Sequence, residues 1–112
     1  MALFGARSGP SVDEFAKELA TDIANRYPAE LEKSVQKRMS VNRVTDLLED
    51  VFAKAQTFKN ENSLGWFKKA KLGNSFRWEL KERGYSEEFI EMATEGLIVY
   101  ITRKAAPAPT PR

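Results

Sequence analysis

The sequence predicts an all-α fold, a single-domain bundle of about five or six short helices, on three observations. Apolar residues recur at steps of three and four, as on one face of a helix. Val12, Phe15, Leu19, Ile23 and Tyr27 form one such run, and Val44, Leu48, Val51, Ala55 and Phe58 another. Residues that favour helix N-termini stand ahead of the periodic runs. Finally, nothing in the chain reads as a pair of partner strands. With 112 residues, one domain can bury a core without covalent or metal staples.

Residues 1–10 contain Gly5, Gly9 and Pro10 and read as a flexible N-terminal arm. Pro107, Pro109 and Pro111 mark 105–112 as an extended, disordered tail. The folded unit expected between them is 11–104, without internal repeats.

The first helix opens on a capping box, Ser11 with Glu14, and Asp13 and Glu14 suit the positive end of its dipole. Ala16, Ala20 and Ala24 widen its apolar face, which ends at Pro28. Pro28 can open the next helix, where Leu31, Val35 and Met39 make one stripe. That stripe and the Val44–Phe58 stripe lie on different sides of a straight rod, so helical phase breaks near Ser40–Asn42. The expectation is a short helix over 29–39 and a long one from about 42 to 61.

Asn60, Asn62 and Ser63 mark a loop. Beyond it, 64–71 reads as a short amphipathic turn or helix broken by Gly73 and Asn74, and 75–83 as a helix stopped by Gly84. Glu79 and Arg83 are i, i+4 partners on it. Ser86 caps the last helix, with Glu87 and Glu88 in its first turn and Phe89, Ile90, Ala93, Leu97, Tyr100 and Ile101 along it to about Arg103. Gly96 within it costs roughly 1 kcal/mol relative to alanine. The run 97–102 is β-prone, so the alternative is an α+β fold with a strand there. A lone strand leaves its backbone groups unpaired, which favours the helix.

Composition excludes several chemistries. There is no cysteine, so disulfides and thiolate metal sites are impossible, and no histidine, so a Ser-His-Asp or Cys-His centre is excluded. No cofactor, metal site or catalytic residue is expected. Carboxylates are plentiful, yet none follows an EF-hand, phosphate-loop or dinucleotide pattern. Glu88, Glu91 and Glu95 line one outer stripe of the last helix. The first ten residues lack a basic secretory leader and no window is apolar enough for a membrane span, so a cytoplasmic protein without membrane contact is expected.

The net charge of +2 is too small for a whole-molecule case for nucleic acid. Charge is clustered instead. Between Leu64 and Tyr85 six cations (Lys68, Lys69, Lys71, Arg77, Lys81, Arg83) face two anions (Glu79, Glu82), interleaved with Trp66, Phe67, Phe76, Trp78 and Tyr85. Read as chemistry, cations and aromatic faces contact phosphates and bases. Read as packing, Phe67, Leu72, Phe76 and Leu80 turn inward while lysines solvate the outside. A helix-turn-helix reading fails at Lys69, where a small core residue belongs, and at Glu79, where a buried β-branched one does. Trp78 sits about 200° from Phe76 around the helix axis, on the face shared with Lys81. A second basic group, Lys33, Lys37, Arg38 and Arg43, reads as a solvated face. The apolar 97–101 patch must be central in its own fold or covered by a partner.

The expected function is non-catalytic: a small protein-interaction or adaptor module whose partner is another protein, a homodimer included. Its expected partner-binding residues are Trp66, Lys68, Lys69, Lys71, Arg77, Trp78, Lys81 and Tyr100. The alternative is a nucleic-acid-binding regulator using the basic-aromatic segment 64–85, and a small carboxylate-based enzyme is a distant third.

Overall fold

A computed structural model describes residues 11–103; the arm expected at 1–10 and the tail at 105–112 lie outside the described residues. The described chain is all-α, five helices with no strand: α1 (Val12–Arg26), α2 (Ala29–Glu32), α3 (Val41–Asn62), α4 (Trp66–Glu82) and α5 (Glu87–Thr102). The β-prone run at 97–102 is therefore helical. It lies inside α5, where Leu97 and Ile101 are fully buried and every backbone donor finds a helical acceptor.

Helix starts follow the sequence closely. Ser11 and Glu14 form the reciprocal capping box of α1, and the hydroxyls of Ser40 and Ser86 accept the Arg43 and Phe89 amides at the starts of α3 and α5. The stop at Gly84 is a Schellman ending: φ is +89° there, the Gly84 amide donates to Lys81 O and the Tyr85 amide to Leu80 O. Ser63 makes the same ending on α3 with φ of 50°, unusual for a residue with a Cβ.

Two expectations about element boundaries need correcting. The helix expected over 29–39 stops at Glu32. Beyond it the Ser34 hydroxyl accepts the Lys37 amide, a local turn that competes with the helical bond. Val35, expected inward, is 79% exposed. The break expected at Gly73–Asn74 is absent, and α4 runs unbroken from Trp66 to Glu82. Gly73 is there because α4 and α5 approach closely: a Cβ at that position would run into the Ile98 side chain.

α4 packs between α1 and α5, and α3 covers the other side of α5 and part of α1. One apolar core joins these faces. Ile23, Val51, Leu72, Phe76, Leu80 and Leu97 are completely buried in it, and Phe15 stacks on Phe58 with ring centroids 4.0 Å apart. Polar contacts tie the ends. Tyr85 is buried and its hydroxyl donates to Tyr27 O at 2.7 Å. Burial pushes that phenol up to about 12, against the opposing pull of the Arg83 charge. Buried Lys59 donates to Arg103 O at the end of α5. Among the described residues no helix is long and apolar enough to cross a membrane.

Candidate functional site

The inward face of α4 carries Leu72, Gly73, Phe76 and Leu80, all buried. At ~100° per residue the opposite face is Phe67, Lys71, Asn74, Trp78 and Lys81, and each of these is exposed. This stripe exists only because α4 is continuous. Across an unbroken helix Phe67 and Trp78, eleven residues apart, differ by roughly 20° in direction and roughly 16 Å along the axis. Phe67 is 75% exposed, which corrects the expectation that it packs inward; Trp78 is 57% exposed. Trp66, beside Phe67 at the helix start, is 79% exposed with the two rings 6.3 Å apart. Large aromatics in water are the informative exception to ordinary burial.

The remaining expected contact residues divide around this stripe. Lys68 and Lys81 are exposed and have no ion-pair partner among the described residues. Lys71 Nζ lies 3.8 Å from Asp13, and Arg77 lies 3.6 Å from Glu91. Lys69 is half-buried on the inner flank, about 200° from Phe67, and does not join the stripe. Tyr100 stands apart altogether. Its ring tilts against Phe52 at 5.2 Å, the Arg103 guanidinium covers it at 4.3 Å, and its carbonyl accepts from Gln56.

Charge along α4 is polarised. From Trp66 to Trp78 there are four cations and no anion, and the first turn holds no acid. No side chain caps Gly65 at this end, so the helix dipole adds to the positive potential of the lysines. Around Trp78 the sign becomes mixed. A groove of about 510 Å³ beside its ring is lined by the carboxylates of Asp13, Glu79 and Glu87 together with Arg77 and Lys81. Within it the Ser75 hydroxyl donates to Asp13 at 2.6 Å, clasping α4 to the start of α1. A carboxylate alone, with no third group to orient it, is a poor activator of a serine hydroxyl.

A second, smaller cleft of about 280 Å³ is more apolar, lined by Met39, Val41, Val44, Phe89 and Met92 between α3 and α5. Among the described residues no cluster of three or more acidic side chains is placed to hold a metal ion. The sequence signal that finds the missed residue, Phe67, is its eleven-residue spacing from Trp78, visible only once Gly73 is read as a packing glycine. Comparison with protein-family models, curated proteins and solved structures gives no match.

Proposed function

We propose that this protein is a non-catalytic protein-interaction module that docks its partner along the outer stripe of α4. The observation that carries this reading is the pair Phe67 and Trp78, both in water, in one register, on the side of α4 opposite its buried face. Neither ring contributes to the core, so packing does not account for them. Aromatic anchors within a polar rim are typical of contact surfaces between proteins.

Nucleic-acid binding through Trp66, Lys68, Lys69, Lys71, Arg77, Trp78 and Lys81 is the second reading, favoured by the same aromatics and lysines. The carboxylates round Trp78 weigh against it. A polynucleotide carries a charge at every step and cannot avoid them, whereas a protein surface can place its charges selectively.

The test is a Phe67→Ala and Trp78→Ala pair used as bait in affinity capture, with a nuclease-treated arm. Both variants should melt within about 2 °C of the parent, because neither side chain is buried, and both should lose the captured protein. Loss of the captured material on nuclease treatment would favour nucleic acid instead. A large drop in melting temperature would make Trp78 a core residue and remove the reading.

A further inference from the structure

We propose that the occupant of the α4 stripe is a second copy of this chain, lying antiparallel, α4 against α4, on a twofold axis beside Asn74. The proposal rests on the interaction-module reading and deepens it. Its basis is a self-complementary pattern. When two identical helices lie antiparallel with their axis near residue 74, a residue before that point faces one a similar distance after it on the same side of the stripe. Lys68 then faces Glu82, Lys71 faces Trp78, Phe67 faces Lys81, and Asn74 faces Asn74; each pair is centred within one residue of Asn74.

Every one of these meetings is favourable. Lys68 and Glu82 are both exposed, and neither has an ion-pair partner within its own chain among the described residues. Lys71 on Trp78 and Lys81 on Phe67 place ammonium groups over exposed aromatic faces. Two Asn74 amides at the axis satisfy each other. By symmetry each off-axis contact is made twice, as an isologous interface requires. The groove beside Trp78, with the carboxylates of Asp13, Glu79 and Glu87, receives the cationic half of the opposite α4.

Competing arrangements are disfavoured by charge. A parallel pair sets Lys71 beside Lys71 and carries Lys68 and Glu82 to opposite flanks and opposite ends, so that they no longer meet. Sliding the antiparallel pair by one turn moves Lys68 about 5 Å out of line with Glu82. Loss of the Lys68–Glu82 pair selects against both. The other apolar surface in question, the 97–101 run, offers less: Leu97 and Ile101 are fully buried, Ile98 and Tyr100 are half-buried, and of its five side chains only Val99 is exposed. A contact of three to four helical turns lies at the small end of specific interfaces. The dimer is therefore concentration-dependent rather than permanent.

Sedimentation equilibrium of the purified full chain over roughly a hundredfold concentration range tests this. The mean mass should rise from the monomer value of 12.7 kDa towards twice that value. Phe67→Ala and Trp78→Ala should each weaken association about tenfold or more with melting unchanged. Lys68→Glu and Glu82→Lys should each weaken it as single substitutions, and the double variant should regain it. A mass that stays at 12.7 kDa throughout overturns the proposal, as does a dimer indifferent to these substitutions. A Lys68→Glu chain that associates more tightly also overturns it. A strict monomer that still loses its captured partner on Trp78→Ala defeats the dimer alone and leaves the interaction-module reading standing. If Trp78→Ala alters neither mass nor capture, both fall.

Discussion

The carboxylate of Glu32 holds Ser86 twice, accepting its backbone amide at 3.0 Å and its hydroxyl at 2.7 Å across 54 residues of sequence. The same hydroxyl accepts the Phe89 amide at the start of α5. The short α2 is thus pinned to the N-terminus of α5 through a carboxylate that is only 8% exposed, where the dipole of α5 also favours a negative charge. Glu32→Ala strands the Ser86 amide and should cost about 1–3 kcal/mol. Glu32→Gln keeps one acceptor and should cost less. Urea unfolding with an unchanged slope would check both, and equal losses from the two substitutions would mean that the hydrogen bonds are not what matters.

Ser63 ends α3 in the left-handed region, at φ of 50°, with its amide and that of Leu64 donating back into the last turn. A Cβ in that conformation costs on the order of 1 kcal/mol. Ser63→Gly removes the clash while leaving the backbone bonds in place, so it should stabilise the protein despite the extra freedom of the unfolded chain. Thermal melting is the measurement, and a rise of a few degrees is expected. A fall would show that backbone entropy outweighs the relief.

The fold was legible in the sequence where one residue type had one local job. Ser11, Ser40 and Ser86 were readable as caps because a hydroxyl before an apolar run has little else to do. Gly84 was readable as a stop for the same reason. Glycines inside helices were not, because a glycine that breaks a helix and one that admits a neighbour look alike until the neighbour is placed. Gly73 belonged to the second kind, and misreading it split α4 and hid the register linking Phe67 to Trp78. The 33–39 segment failed differently: its apolar spacing was helical, but within it only Met39 reaches the core. One inward side chain does not hold a further helical turn against the Ser34 turn.

Gly73 and Gly96 both sit at close helix contacts, yet their alanine substitutions should differ. At Gly96 an added Cβ would lie 2.6 Å from the Phe52 ring, a rigid group buried between α3 and α5. At Gly73 it would meet the terminal methyl of half-buried Ile98, which can rotate away. Alanine gains about 1 kcal/mol of helix propensity at either site. Overpacking costs about 1–3 kcal/mol where the neighbour cannot yield. Gly96→Ala should therefore destabilise, and Gly73→Ala should be close to neutral. Chemical denaturation of the two variants side by side decides it, and the reverse order would mean that Phe52 rather than Ile98 is free to move.

Tyr85 gives the protein a specific alkaline weakness. In the fold, burial pushes its phenol up to about 12 while the unfolded chain releases that proton near 10. Between those values the folded state holds the proton and the unfolded state does not, so stability falls as pH rises. The contribution is complete below about pH 10 and is lost as pH climbs towards 12, amounting to about 2–3 kcal/mol over the window. Tyr85→Phe removes the titrating group along with its hydrogen bond to Tyr27 O. The variant should start about 1 kcal/mol less stable at neutral pH and lose less as pH rises. Every other group is common to the two proteins, so the difference between the two stability curves isolates Tyr85. Curves that stay parallel from pH 9 to 12 would mean that the buried phenol ionises as easily in the folded chain as in the unfolded one.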